Sequence, residues 1–131
     1  MDQKTESAYP TKFGYELLKD HVLPSVLGKH EDDILYWVGK EIARKFPLFS
    51  IEELPAFFTE AGWGKLELIK DTAQVNTFLL TRPSNSVKEK GSISLEVGFI
   101  AQQYQILTKR ITEAHGTYQK DSTVSIDVKW E

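Results

Sequence analysis

After Gly62 the apolar residues of this chain stop recurring every three or four positions and begin to recur every two. Few features restrict a fold more. Helices and strands repeat their side-chain directions at 3.6 and 2.0 residues, so one pattern cannot serve both. The chain carries helical spacing up to Gly62, alternation from Gly64 to Arg82, helical spacing again from Ser92 to Arg110, and alternation to the end.

The first helical stretch, "KFGYELLKDHVLPSVLG", places Phe13, Leu17, Leu18 and Val22 at helical spacing, with Pro24 expected to kink or restart it and Gly28 to end it. The second, "KHEDDILYWVGKEIARKFP", crowds Glu31, Asp32 and Asp33 into its first turn, where negative charge suits the helix dipole. Its expected buried stripe is Ile34, Leu35, Val38, Ile42 and Phe46, and Pro47 ends it. In "SIEELPAFFTEAG", Ser50 and Glu53 stand at capping-box spacing and Gly62 terminates a third helix.

Two alternating runs follow, "GKLELIK" and "QVNTFLLTR", joined by the turn "KDTA", with Leu66 and Leu68 on one face and Phe78 and Leu80 on one face. "RPSNSVKEKG" reads as a mobile loop of breakers and charges. "SISLEVGFIAQQYQILTKR" reads as a long helix with so little polar surface that it must be buried or form an interface. In the last run Val124, Ile126, Val128 and Trp130 point one way and Ser125, Asp127 and Lys129 the other. The order is ααα-ββ-α-ββ, an α+β fold in which a helix bundle packs on a four-stranded antiparallel sheet. Residues 1–11 are expected to be a flexible tail and 12–131 a single domain, the usual outcome for a chain of 131 residues.

Composition narrows the function by exclusion. With no cysteine, the chain has no disulfide, thiolate metal site or cysteine nucleophile. That usage fits a reducing cytoplasm, the expected location. The net charge of −3 and scattered basic residues predict no nucleic-acid partner. No apolar run reaches the ~20 residues that span a bilayer, so no membrane insertion is expected. His21, His30 and His115 lack metal-ligand spacing, so neither metal nor cofactor is expected. Glu113 and His115 share a strand face, the minimal form of an acid–base pair, but such a pair is more often a solvated surface contact. No Gly-rich phosphate loop or nucleophile elbow is present, and the expectation is a protein that is not an enzyme.

Gly39 interrupts the second helix at a cost of about 1 kcal/mol against alanine. Gly39 and Ala43 share one face, and Gly98 and Ala101 make a similar small patch on the long helix. Missing bulk at these four positions predicts a seam, either between helices two and four or between one of them and its twin across a dimer.

"GYELLKDHVLPSVLGKHEDDILYWVGKEIARKFPL", followed by "FFTEAGWGKLELI", resembles the YslB-like proteins of low-GC Gram-positive bacteria, a family of unknown function. "LYWVGKEIARKF", "GWGKLELI" and "LEVGFIAQQYQIL…TEAHGTYQKDSTVSIDVKW" are more distantly similar to the vinyl-reductase-type ligand domain, to the TRAPP vesicle-tethering subunits and to the haem-based nitric-oxide sensor domain. The resemblance covers about residues 13–130. It implies the same helices-on-sheet fold, helix-mediated pairing and, in many members, an apolar cavity for a small ligand. The cysteines that many vinyl-reductase-type domains carry in their last strands are missing, with Thr117, Ser122 and Thr123 in that region.

Tyr36, Trp37, Phe57, Phe58, Trp63, Phe99 and Tyr104 are the candidate lining of such a cavity, although helical spacing is more often the mark of plain core. The leading expectation is a homodimeric interaction or assembly domain with an unidentified protein partner. The alternative is a sensor or carrier of a small apolar ligand.

Overall fold

The glycine in the second helix explains the architecture. In a computed structural model, which describes residues 11–83 and 91–131, Gly39 lies against the backbone of the long helix. A Cβ at Gly39 would stand 2.1 Å from the Leu95 carbonyl oxygen, and one at Gly98 would stand 2.1 Å from the Tyr36 carbonyl oxygen. Each helix has removed a side chain where the other's backbone passes. Ala43 and Ala101 are fully buried.

The chain begins with α1 (Lys12–Glu16), a π-helical stretch (Leu17–Val22) and α2 (Leu23–Leu27), which run as one helical segment. Thr11 caps it, its hydroxyl accepting from the Gly14 N–H at 2.9 Å. Pro24 has no N–H to give its own turn, and the ladder widens ahead of it, so that the Leu23 N–H donates to the Leu18 carbonyl five residues back. The expected restart at Pro24 is therefore a π-helical widening rather than a break. Gly28, at φ 59°, ends the segment.

A short 3₁₀ turn (Gly28–His30) leads into α3 (Glu31–Lys45). Its buried line is Leu35, Gly39 and Ala43. This corrects the expected stripe, because Ile34 and Phe46 are exposed and Val38 and Ile42 only half-buried. The line of closest approach runs through the small residues, not through the bulkiest ones. A 3₁₀ turn (Ile51–Glu53) then opens α4 (Leu54–Ala61), with Glu53 Oε2 accepting from the Ser50 N–H at 3.0 Å and Gly62 in the left-handed conformation at its end.

Strands β1 (Lys65–Asp71), β2 (Val75–Thr81), β3 (Thr112–Tyr118) and β4 (Thr123–Trp130) form one antiparallel sheet in the order β1-β2-β4-β3. Phe78, Leu80, Val124, Ile126 and Val128 fill its inner face, while Thr77 and Asp127 bond to each other at 2.7 Å on the outer one. Leu66 is buried, but Leu68 on the same face is 43% exposed, because β1 is an edge strand whose register slips between Leu68 and Lys70.

Helix α5 (Ser94–Thr108) connects β2 to β3 and lies between the sheet and α3, which is why its run from Glu96 to Tyr104 is buried all round. Gln103, fully buried, holds the bend after α3 by donating to the Phe46 carbonyl (2.9 Å) and accepting from the Leu48 N–H (3.1 Å). Helices on one face of an antiparallel sheet are the α+β architecture expected from the periodicity. The tail expected over 1–11 and the loop expected over 82–91 lie, except for Thr11, Arg82, Pro83 and Gly91, outside the described residues. Among the described residues no helix is long and apolar enough to cross a membrane.

Gly39→Ala separates two effects of opposite sign. Propensity alone would stabilise α3 by about 1 kcal/mol. Overpacking against a backbone that cannot swing aside costs about 3 kcal/mol. The variant is expected to melt roughly 10 °C below the wild type in a thermal denaturation scan; an unchanged or raised midpoint would refute the seam.

Candidate functional site

The first helical segment has two faces, and it presents them in an unusual sense. Phe13, Leu17, Leu18, Val22 and Val26 make the apolar face, and Tyr15, Glu16, Lys19 and Asp20 the polar one. A surface helix ordinarily turns its apolar face to the core. Here Phe13 is 67% and Val26 73% exposed, whereas Asp20 is 6% exposed. Its inward side carries Tyr15, Lys19 and Asp20 along with the half-buried Leu23 and Leu27, and five apolar side chains face outward.

An ion pair explains the orientation. Glu96 sits on α5 with no exposed surface, and a carboxylate there needs a cation close by. Lys19 supplies it, its Nζ standing 2.6 Å from Glu96 Oε2. Burial pulls the Lys19 ammonium down, but the Glu96 carboxylate and the Tyr15 hydroxyl push it the other way, and the net shift is upward. Tyr15 packs on the core beside the pair, with Lys19 Nζ 5.9 Å from its ring centre. Burial drives the Tyr15 hydroxyl above its usual range, with Lys19 opposing. Two buried atoms of this corner, Tyr15 Oη and Glu96 Oε1, have no hydrogen-bond partner among the described residues.

Above the pair opens a cleft of about 520 Å³, within the range of small-molecule sites. Thr11, Tyr15, Glu16, Lys19 and Asp20 form one wall. Glu60, Ala61 and Gly62 at the end of α4 form the opposite wall, and Arg82 and Pro83 after β2 close it. The inward polar face of the first segment is thus the wall of a concave site.

None of the seven aromatic residues read as cavity lining borders this cleft. Phe57, Phe58, Trp63 and Phe99 pack ring on ring at 4.5 to 6.2 Å. Tyr104 belongs to the same core, but its ring meets Phe78 and Trp130 instead. Its hydroxyl donates to the Asn76 amide oxygen at 2.7 Å, while the amide nitrogen donates to Asp71 at 3.0 Å. Burial pushes the Tyr104 hydroxyl up to about 12. Tyr36 is half-buried under Lys40, and Trp37 is 60% exposed. The structure therefore packs four of the seven ring on ring, places Tyr104 elsewhere in the same core and Tyr36 at its margin, and leaves Trp37 outside.

Glu113 and His115 are both exposed on the edge strand β3. No cluster of three metal-ligating side chains occurs among the described residues. Sequence reasoning missed Lys19, Asp20, Arg82 and Glu96. The one signal was Glu96, a lone carboxylate inside an otherwise apolar helix.

Removing one partner of the buried pair strands the other. Lys19→Met is expected to cost about 3–5 kcal/mol in urea unfolding, and Lys19→Met with Glu96→Met to recover most of it. Because the folded Lys19 value lies above its ordinary 10.5, the pair's stabilisation is complete at neutral pH and is lost as the pH rises through that raised value. A double variant no more stable than the single one would refute the pairing.

Comparison with known proteins agrees with the fold. The chain is 43% identical over 124 residues to the uncharacterized protein YslB of Bacillus subtilis (strain 168), covering 91% of this chain and 84% of that one. A vinyl-4-reductase family protein from Methanocaldococcus jannaschii has a similar structure, with TM-score 0.67 and 17% identity, over 96% of this chain and 85% of that one. The phenol-responsive sensory domain of the transcription activator PoxR, solved with phenol, aligns with TM-score 0.62 and 11% identity, over 92% and 75%. At such identities the two structures share the fold alone. Residues 12–129 match the model of one family, and the chain belongs to it: protein of unknown function (DUF2507).

Proposed function

We propose that this protein is a ligand-binding domain without catalytic activity, which takes a small molecule into the cleft between the first helical segment and the end of α4. One observation carries the reading. Tyr15 Oη on the cleft wall and Glu96 Oε1 beneath it are buried polar atoms without a hydrogen-bond partner among the described residues, and buried polar groups ordinarily find one. A fold shared with a domain described as phenol-responsive supports the same kind of use. The solvated positions of Glu113 and His115 support binding over chemistry. The ligand belongs in the cleft, not among the aromatic rings, which fill their own volume. A chain with no cysteine suits the reducing cytoplasm, where we place it.

Native mass spectrometry of freshly purified protein tests this. Extra mass that survives gentle ionisation and disappears on denaturation is expected, and Tyr15→Ala should abolish it. Wild-type protein that shows only its bare mass from every preparation would overturn the reading.

The outward apolar face of the first segment favours a second reading, self-association. Five apolar side chains along one helix are costly to leave in water, and a second copy offers the same stripe in return. The expected state is a homodimer that Leu17→Glu with Val22→Glu converts to a monomer of unchanged circular dichroism. A monomeric wild type at micromolar concentration by light scattering would refute it.

A further inference from the structure

We infer that the cleft selects a small organic cation, a primary amine or amidine with a short hydrocarbon body. The inference rests on the cleft being a ligand site, as proposed above, and adds the class of ligand.

The unsatisfied groups of this corner set the requirement. Asp20 lines the cleft while 6% exposed, and no hydrogen bond or ion pair to its carboxylate occurs among the described residues. Glu96 Oε1, fully buried behind Lys19, has no hydrogen-bond partner among the described residues, and Tyr15 Oη, though close enough to Lys19 to feel its charge, makes no hydrogen bond of good geometry among them. A carboxylate only accepts, and a tyrosine hydroxyl accepts as readily as it donates. The site is short of donors, so the molecule that completes it must bring N–H groups.

Charge points the same way. The two cations of the wall are already engaged, Lys19 on Glu96 and Arg82 in contacts of its own, with its guanidinium carbon 6.0 Å from the Tyr118 ring centre. An anionic ligand would have to compete for them. Among the described residues the cleft wall carries three carboxylates, Glu16, Asp20 and Glu60, and two cations, Lys19 and Arg82, of which Lys19 is neutralised by Glu96 beneath it. A concave site with an excess of one sign concentrates the opposite one. A metal ion is a poor fit, because no three ligating side chains converge among the described residues. The Tyr15 ring, Ala61 and Pro83 give a hydrocarbon body apolar surface to lie on.

The test titrates three probes of one shape into the full chain by calorimetry: 2-phenylethylamine, 2-phenylethanol and phenylacetate. The amine is expected to bind about tenfold or more tightly than either of the others, the worth of one charge-assisted contact. Asp20→Asn should remove that preference while circular dichroism and melting temperature stay as in the wild type. If that variant fails to fold, the three-probe comparison on the wild type decides alone. Equal binding of all three, or preference for the acid or alcohol, would overturn the cation while leaving the cleft a ligand site. If none binds at millimolar concentration the cation is also overturned, and retained mass in the native spectrum then decides separately whether the cleft holds any ligand.

Discussion

Two helices meet backbone to backbone at Gly39 and Gly98, and the rest of the domain is arranged around that contact. With a carbonyl oxygen where each missing Cβ would stand, α3 and α5 sit closer than side chains normally permit. Helix α5 can then lie against α3 on one side and the inner face of the sheet on the other, which buries Glu96 to Tyr104 on all sides. A helix in that position has almost no place for a charge. The single carboxylate it does carry, Glu96, therefore dictates what lies above it.

That requirement runs from the core to the surface. Glu96 recruits Lys19 from a helix 77 residues earlier in the chain, and Lys19 brings Tyr15 and Asp20 inward with it. Phe13, Leu17, Leu18, Val22 and Val26 of the same segment are left facing outward. A buried pair of this kind contributes little net stability once its desolvation is counted, and apolar replacements are often as good. Its main consequence here is geometric: it lines a cleft with polar groups and exposes an apolar stripe. The two proposed uses of the domain, small-molecule binding and self-association, both follow from the one inverted helix.

How much of this could be read beforehand depended on whether a feature was local. The strands were legible in "QVNTFLLTR" and "STVSIDVKW" because alternation is a property of neighbours, and so were the Ser50–Glu53 cap and the Gly62 stop. Leu68 was misjudged because only the pairing register reveals that β1 slips at the sheet edge. Ile34 and Phe46 were misjudged because bulk was taken to mark the buried line, whereas the line of closest approach follows the small residues Gly39 and Ala43. The aromatic residues were visible one by one. Nothing in their spacing showed that Phe57, Phe58, Trp63 and Phe99 would pack together while the Tyr104 ring met Phe78 and Trp130 instead and Trp37 stayed outside.

Periodicity, capping and glycine placement are settled within a few residues of chain, so the order of elements, the α+β class and the positions lacking side-chain bulk are written locally. Which face of the first helix turns inward, and where the cleft opens, depends on contacts between distant parts of the chain. An amphipathic pattern specifies two faces without saying which is buried. Lys19 meets Glu96 from 77 residues away, and no pattern among neighbours in the chain records that pairing.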